Sequence, residues 1–360
     1  MRHGRTFAFR RDILRAFRTG ILALLGALAP AHAAERAGSP TTLKLATWNL
    51  EWLIAPEEFR TLKDTCAPRN TPIRGNERRL PCDVAHRFER SAIDFQTLSR
   101  YAERLDADVI ALQEVDGAAA ARLVFRGYRF CFTGRRHVQN NGFAIRPGLP
   151  FRCGRDVREL ALGDSLRRGA EVILFPGEPR EIRLLSVHLK AGCRIDRLDV
   201  GKEACRDLAR QVPALEAWID EQARSGRYFA VLGDFNRDLL SDSGPARAAN
   251  GRLLRLWPEI DDGDPPGADL VNAAEGQRFV NCTPGQSYTG YIDFIVLGES
   301  LAQRMVPGSF ERLTFSPSDA RRRRLSDHCP VAVRIRLPDA VDSASPAAAG
   351  TIRATGRPNH

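Results

Sequence analysis

The chain has 360 residues, of which 43% are apolar and 27% charged, with 29 Gly, 22 Pro and 8 Cys. That composition excludes a disordered chain or a collagen-like repeat and leaves room for one large or two ordinary globular domains. The formal charge is +10, but residues 1–34 hold six Arg and one acid, so the remainder carries 48 bases and 43 acids, a net of +5. That balance is compatible with a polyanionic partner and does not require one.

Residues 1–34 read as an export signal: basic residues to Arg18, the apolar run "ILALLGALAP", then small residues in "AHA". The run is too short to span a bilayer, so no stable membrane insertion is expected once it is removed. "RRDIL" at 10–14 also resembles a twin-arginine signal. Export predicts a secreted or periplasmic protein. In such a compartment an even cysteine count points to disulfides. Pairing neighbours in sequence gives Cys66–Cys82, Cys131–Cys153, Cys193–Cys205 and Cys282–Cys329, a connectivity that sequence alone does not establish. No C-x-x-C suggests a zinc ribbon.

A short linker at 35–42 leads into a domain over 43–337. "LKLATWNL" (43–50) is its first strand candidate, followed by a long loop from Ala55 to about Arg79. Apolar spacings of three and four from Phe88 to Leu105 predict an amphipathic helix. "DVIALQEV" (108–115), "GFAIR" (142–146), "EVILF" (171–175) and "IRLLSVHL" (182–189) read as strands. A second helix is expected from about Lys202 to Ala223, with Pro213 either kinking it or marking its start. "YFAVLGDFN" (228–236), "YIDFIVLG" (291–298) and "VAVRIRL" (331–337) are further strands. The Ala/Pro/Ser/Gly-rich tail, 338–360, is expected to be disordered. Strands outnumber helices and mix hairpin with crossover spacings, which favours two packed sheets with outer helices over a doubly wound parallel sheet.

Several strands end in polar residues: Trp48-Asn49, Gln113-Glu114, His188, Asp234 to Asn236, Asp293 and Asp327-His328. Strand ends on a rigid scaffold are common places for a site. The ordered set "TWNLEW", "LQEV", "NGFAIR", "SVHLK", "GDFN", "YIDFIV" and "SDHCPV" resembles the endonuclease/exonuclease/phosphatase superfamily, whose members include deoxyribonucleases, abasic-site endonucleases and sphingomyelinases. The resemblance covers 43–337. It implies an α/β four-layer sandwich, two packed mixed β-sheets flanked by helices, with the site at one rim.

Carried over motif by motif, the resemblance makes Glu114, Asn49 and Asp327 ligands of a divalent metal. Mg²⁺ is the first expectation, with Mn²⁺ or Ca²⁺ as alternatives. Asp234 and Asn236 would align water and phosphate, His328 would be the general base, and Asp293 would orient it. His188 would contact or protonate the phosphate. Its usual glutamate partner is missing, and Asn140 or Asn141 lies near that place. Arg168 is the candidate phosphate contact, with Arg167 equally eligible. His86 and His137 match no motif and read as loop histidines. Trp48 and Trp52 read as core or rim packing.

These residue types suit phosphodiester hydrolysis. Oxygen ligands hold a hard cation, an imidazole titrates near neutrality, and a carboxylate on its other nitrogen fixes the tautomer. The expected substrate is nucleic acid, DNA first and RNA as an extension, with backbone contacts from "RRRR" at 321–324 and the arginines at 69, 74, 78 and 79. The alternative is a sphingomyelinase or other phospholipid-headgroup hydrolase, for which no exposed aromatic–aliphatic hairpin is visible. A phosphomonoesterase and a non-catalytic binding protein rank below it. A monomer is expected.

Overall fold

The computed structural model describes residues 41–337 apart from 70, 72–77, 285 and 287. The signal and tail assignments therefore lie outside the described residues, as does Arg74. Among the described residues, no helix is long and apolar enough to cross a membrane.

Two mixed sheets of six strands form the body. The first comprises β1 (Thr42–Leu53), β2 (Val109–Val115), β3 (Arg129–Phe132), β4 (Asn140–Ile145), β11 (Glu311–Arg312) and β12 (Val331–Arg336). Its order is β11-β12-β1-β2-β4-β3. The second comprises β5 (Phe151–Val157), β6 (Gly169–Leu174), β7 (Ile182–His188), β8 (Tyr228–Asp234), β9 (Leu270–Asn272) and β10 (Asp293–Gly298), in the order β5-β6-β7-β8-β10-β9.

Side-chain alternation along β1 builds two layers at once. Leu43 and Leu45 enter the core shared with the second sheet, while Ala46, Trp48 and Leu50 pack on the opposite face. That outer face is covered by Phe95, Leu98, Tyr101 and Leu105 of the helix Ala92–Leu105. The helix starts where Ser91 and Asp94 form a capping box, four residues later than the Phe88 onset of the apolar spacing. On the far side, the helix Glu203–Arg224 contributes Leu208, Val212, Leu215 and Ile219 to the core. Pro213 lies inside this helix and does not begin it.

The expected loop from Ala55 to Arg79 in fact contains the helix Pro56–Asp64, which buries Phe59 and Leu62. Its apolar residues are too few in the sequence to show a periodicity. The edge strands β3, β5, β9 and β11 also went unread. They are short or lie at sheet margins, where alternation between core and solvent is weak. All four disulfides join neighbouring cysteines as expected: Cys66–Cys82, Cys131–Cys153, Cys193–Cys205 and Cys282–Cys329.

Strand direction decides where the polar ends meet. β1 runs parallel to β2, and β7 runs parallel to β8, so Asn49 and Glu114 leave one sheet where His188 and Asp234 leave the other. β10 is antiparallel to β8, with Asp293 opposite Asp234, and β12 is antiparallel to β1. Both antiparallel strands therefore begin at the rim where the parallel pairs end.

Candidate active site

A cavity of about 400 Å³ opens at this rim, lined by Glu114, His188, Asp234, Asn236, Asp327 and His328 among others. Asn49 and Asp293 lie buried beneath it. Eight of the ten residues expected at the site thus converge there, and Arg168 and Asn141 do not.

Backbone irregularities aim several of these side chains. The register between β1 and β2 shifts between Asn49 and Leu53, and that between β2 and β4 shifts between Leu112 and Val115. Such bulges re-aim side chains at sheet rims. Glu51, Trp52, Glu114 and Asn236 have φ of 44°, 56°, 59° and 52°, a region that non-glycine residues enter at some cost and that recurs at functional sites. Gly233 of "GDFN" allows the close approach of β7 and β8. A Cβ there would lie 2.0 Å from the Val187 carbonyl oxygen.

His328 is held on every side. Asp293 Oδ2 lies 2.8 Å from its Nδ1, and its Nε2 is 3.8 Å from Asp234 Oδ2. Its backbone N–H donates to Ser326 Oγ at 3.0 Å, and Ser326 Oγ donates to the Asn49 carbonyl at 2.7 Å. The Trp48 indole N–H donates to the His328 carbonyl at 3.2 Å, and Cys329 is tied to Cys282. Burial pushes the His328 pKa down, but Asp293 and Asp234 outweigh it and raise the imidazole well above its ordinary range.

His188 sits in the opposite field. Arg167 Nε lies 3.2 Å from its Nδ1, and Asp234 Oδ2 lies 3.4 Å from its Nε2. Burial, then Arg167 and then His328, depress its pKa well below the ordinary value. Arg167 Nη2 also lies 2.7 Å from Nε2, so the guanidinium faces both ring nitrogens of His188, with Glu114 Oε1 farther off at 3.8 Å. Asn141 instead donates to the Arg168 carbonyl at 2.9 Å and does not line the cavity.

Arg168 is likewise not available as the phosphate contact. Its guanidinium is gripped by Asp164 at 2.7 Å and Asp156 at 3.1 Å, which fixes the turn that presents Arg167. The sequence "LRRGA" offered no way to choose between the two arginines. The nearby acids Asp156 and Asp164 were the one available signal.

On the carboxylate side, Asn49 Nδ2 donates to Asp234 Oδ2 at 3.0 Å and to Glu114 Oε1 at 3.4 Å. Its Oδ1 accepts from the Glu51 N–H at 3.0 Å. Asn49 thus bridges two carboxylates here, and acting as a metal ligand would require its amide to turn. Two residues escaped the sequence reading. Glu51 accepts from the Asp327 N–H at 3.1 Å. Burial, then Asp327, raise its carboxyl to about 7, with Glu114 adding to the effect and Arg90 opposing it. Buried Arg90 donates to the carbonyls of Leu50, Glu51, Trp52, Arg324 and Leu325, tying the exit of β1 to the loop before Ser326. No motif marks Arg90.

The donor set fits a hard divalent cation. Glu51, Glu114 and Asp327 are oxygen donors whose mutual repulsion a cation would relieve. A tighter cluster exists, since single ligating atoms of Asp234, Asp293 and His328 lie within 4.8 Å of one another. There Nδ1 of His328 is already engaged by Asp293, so the geometry suits an oriented imidazole better. The cavity can therefore present an imidazole with a bound carboxylate, a second imidazole beside an arginine, and an oxygen-rich pocket to one phosphate group.

Solved structures similar to this chain include an AP endonuclease from Archaeoglobus fulgidus, at 13% identity and TM-score 0.50, covering 82% of this chain and 100% of that one. Others are the 3' phosphatase NExo from Neisseria bound to product DNA hairpin (15% identity, TM-score 0.47, 81% and 99% covered) and truncated Caenorhabditis elegans TDP2 (13%, 0.48, 82% and 98%). At such identities the likeness concerns the fold. No curated protein matches the chain. The model of the Endonuclease/Exonuclease/phosphatase family matches residues 46–328, which span the whole rim from β1 to His328, and the chain belongs to that family.

Proposed function

We propose that this chain is an exported, divalent-cation-dependent phosphodiesterase acting on nucleic acid, DNA in the first place. The observation that carries the reading is the pairing of His328 with Asp293 at 2.8 Å, over a cavity also lined by His188, Asp234 and Glu114. Four disulfides suit an oxidising compartment.

In this reading Asp293 holds Nδ1 of His328, so that Nε2 faces the attacking water and accepts its proton. Asp234 and Asn236 align that water. The Asn236 backbone N–H donates to Asp234 Oδ1 at 2.8 Å, fixing the carboxylate. His188, kept neutral by burial and Arg167, positions the Arg167 guanidinium against a phosphoryl oxygen, and that cation offsets the charge that grows there. A divalent cation held by Glu51, Glu114 and Asp327 would neutralise phosphoryl charge and counter the upward pull of the carboxylates on His328.

The nucleic-acid preference rests on cationic flanks. A cavity of about 680 Å³ lined by Arg87 and Arg321 to Arg324 shares Asp327 with the catalytic cavity. Arg167 lies on the other flank, beside Arg69, whose guanidinium is held by Asp83 at 2.5 Å. Sequence-independent contacts of this kind follow a phosphate backbone. The test is incubation of the mature protein with plasmid, RNA and sphingomyelin liposomes, with and without EDTA. Cleavage of plasmid that EDTA abolishes is expected. Turnover of sphingomyelin alone would replace nucleic acid with a lipid headgroup as the substrate.

A further inference from the structure

Beside the catalytic cavity lies a second one of about 180 Å³, and Trp52, Arg69, Gln139 and Arg167 line both. Arg135 also lines it. This side chain is only 8% exposed, its Nη2 donates to the Asp164 carbonyl at 2.9 Å, and its Nη1 is buried without a hydrogen-bond partner. Neither Arg135 nor Arg167 has a carboxylate within ion-pair distance among the described residues, in contrast to Arg168 nearby. Burial and the neighbouring Arg167 push the Arg135 pKa down to about 10. A buried cation left unpaired is costly, and a charged donor without an acceptor more so. Such an arrangement is stable only at a cost to the fold, and an incoming anion would relieve it.

The remaining wall suits the same ligand. His137 is buried and its Nδ1 accepts from the Gln139 N–H at 3.1 Å, which leaves the ring proton on Nε2. Burial and the positive charge of Arg135 hold its pKa near 3, so the imidazole is a neutral donor. Ser165 lines it too, but its hydroxyl already donates to the Leu162 carbonyl at 3.0 Å, and Trp52 presents an indole at the boundary between the two cavities. Donors predominate here, and no carboxylate lines this pocket.

We infer that this pocket is a second phosphate subsite, anchored by Arg135, which holds a phosphate group of the substrate strand next to the one being hydrolysed. The inference rests on the phosphodiesterase reading of the neighbouring cavity. It gives the enzyme a reason to prefer a chain of phosphates to a lone diester, because only the former fills both cavities.

Two measurements on Arg135→Gln test it. In EDTA, inorganic phosphate should raise the thermal midpoint of the wild-type protein. The variant should melt higher than wild type without phosphate and need about ten times more phosphate for the same rise. A variant that melts lower and responds to phosphate as wild type does would make Arg135 a structural residue and overturn the subsite. With a divalent cation present, kcat/KM on an oligodeoxynucleotide should fall about tenfold further than on bis(4-nitrophenyl) phosphate, which has a single phosphate. Equal losses on the two substrates would overturn it as well. If the wild-type protein cleaves neither, the phosphodiesterase reading fails, and the phosphate measurement still decides whether an anion binds at Arg135.

Discussion

The two histidines at the rim are almost equally buried, yet their surroundings pull them in opposite directions. His328 faces Asp293 and Asp234 and is raised, whereas His188 faces Arg167 and is depressed further than burial alone would take it. Burial disfavours the charged form of both, so the sign of the nearest neighbour decides the outcome. Both imidazoles also approach one carboxylate, Asp234, His188 at 3.4 Å and His328 at 3.8 Å. The contrast separates an imidazole tied to a carboxylate from one tied to a cation, across a gap that one phosphate can fill.

The contrast can be broken in several ways, beginning with the largest effect. His328→Ala should lower kcat by about 10²–10⁴, the contribution expected of a general base, with the far-ultraviolet dichroism unchanged. Turnover close to wild type would remove His328 from the mechanism. Next, replacing Cys282 and Cys329 together by Ala should cost about 2–4 kcal/mol in denaturant unfolding. Turnover should fall with it, because the disulfide anchors the residue after His328 and nothing beside His188. Unchanged turnover would show that the Ser326 and Trp48 hydrogen bonds suffice.

A smaller effect is the pH dependence of stability in EDTA, compared with His328→Gln and His188→Gln. The folded-state pKa of His328 is raised, so its contribution is fully present below the unfolded value of about 6.5 and is lost as pH rises through the folded value. The folded-state pKa of His188 is lowered. Its contribution is present above about 6.5 and is lost as pH falls. The two difference curves should therefore slope in opposite directions, and parallel slopes would end the comparison. Smallest of all, Arg167→Gln should move the imidazole titration of His188 upward in an NMR experiment and leave that of His328 in place. A stationary His188 would mean that burial and His328 set its pKa without Arg167.

Much of the site was legible in the sequence because its residues stand in short motifs at strand ends. "GDFN" carries its own explanation: Gly233 admits the close approach of β7, and Asp234 and Asn236 follow within hydrogen-bonding reach of each other. Other parts were illegible for physical reasons. Arg167 and Arg168 are chemically identical neighbours, and only the positions of Asp156 and Asp164 tell which one is neutralised. Glu51 sits in "NLEW" like any solvent-facing acid, and its proximity to Asp327 depends on a chain turn at positive φ. Arg90 binds five carbonyls from two distant segments, a role that leaves no local pattern.

By itself, the sequence determined the eight inner strands of the two sheets, the second long helix and the polar residues at the strand ends, because period and motif are local properties of the chain. Only the tertiary structure decided which arginine is free to meet a phosphate, in which direction each histidine's pKa is pushed, and that a second cationic pocket adjoins the first. Those outcomes depend on the distance and sign of neighbours from remote segments, brought together when parallel strand pairs of two sheets end at one rim.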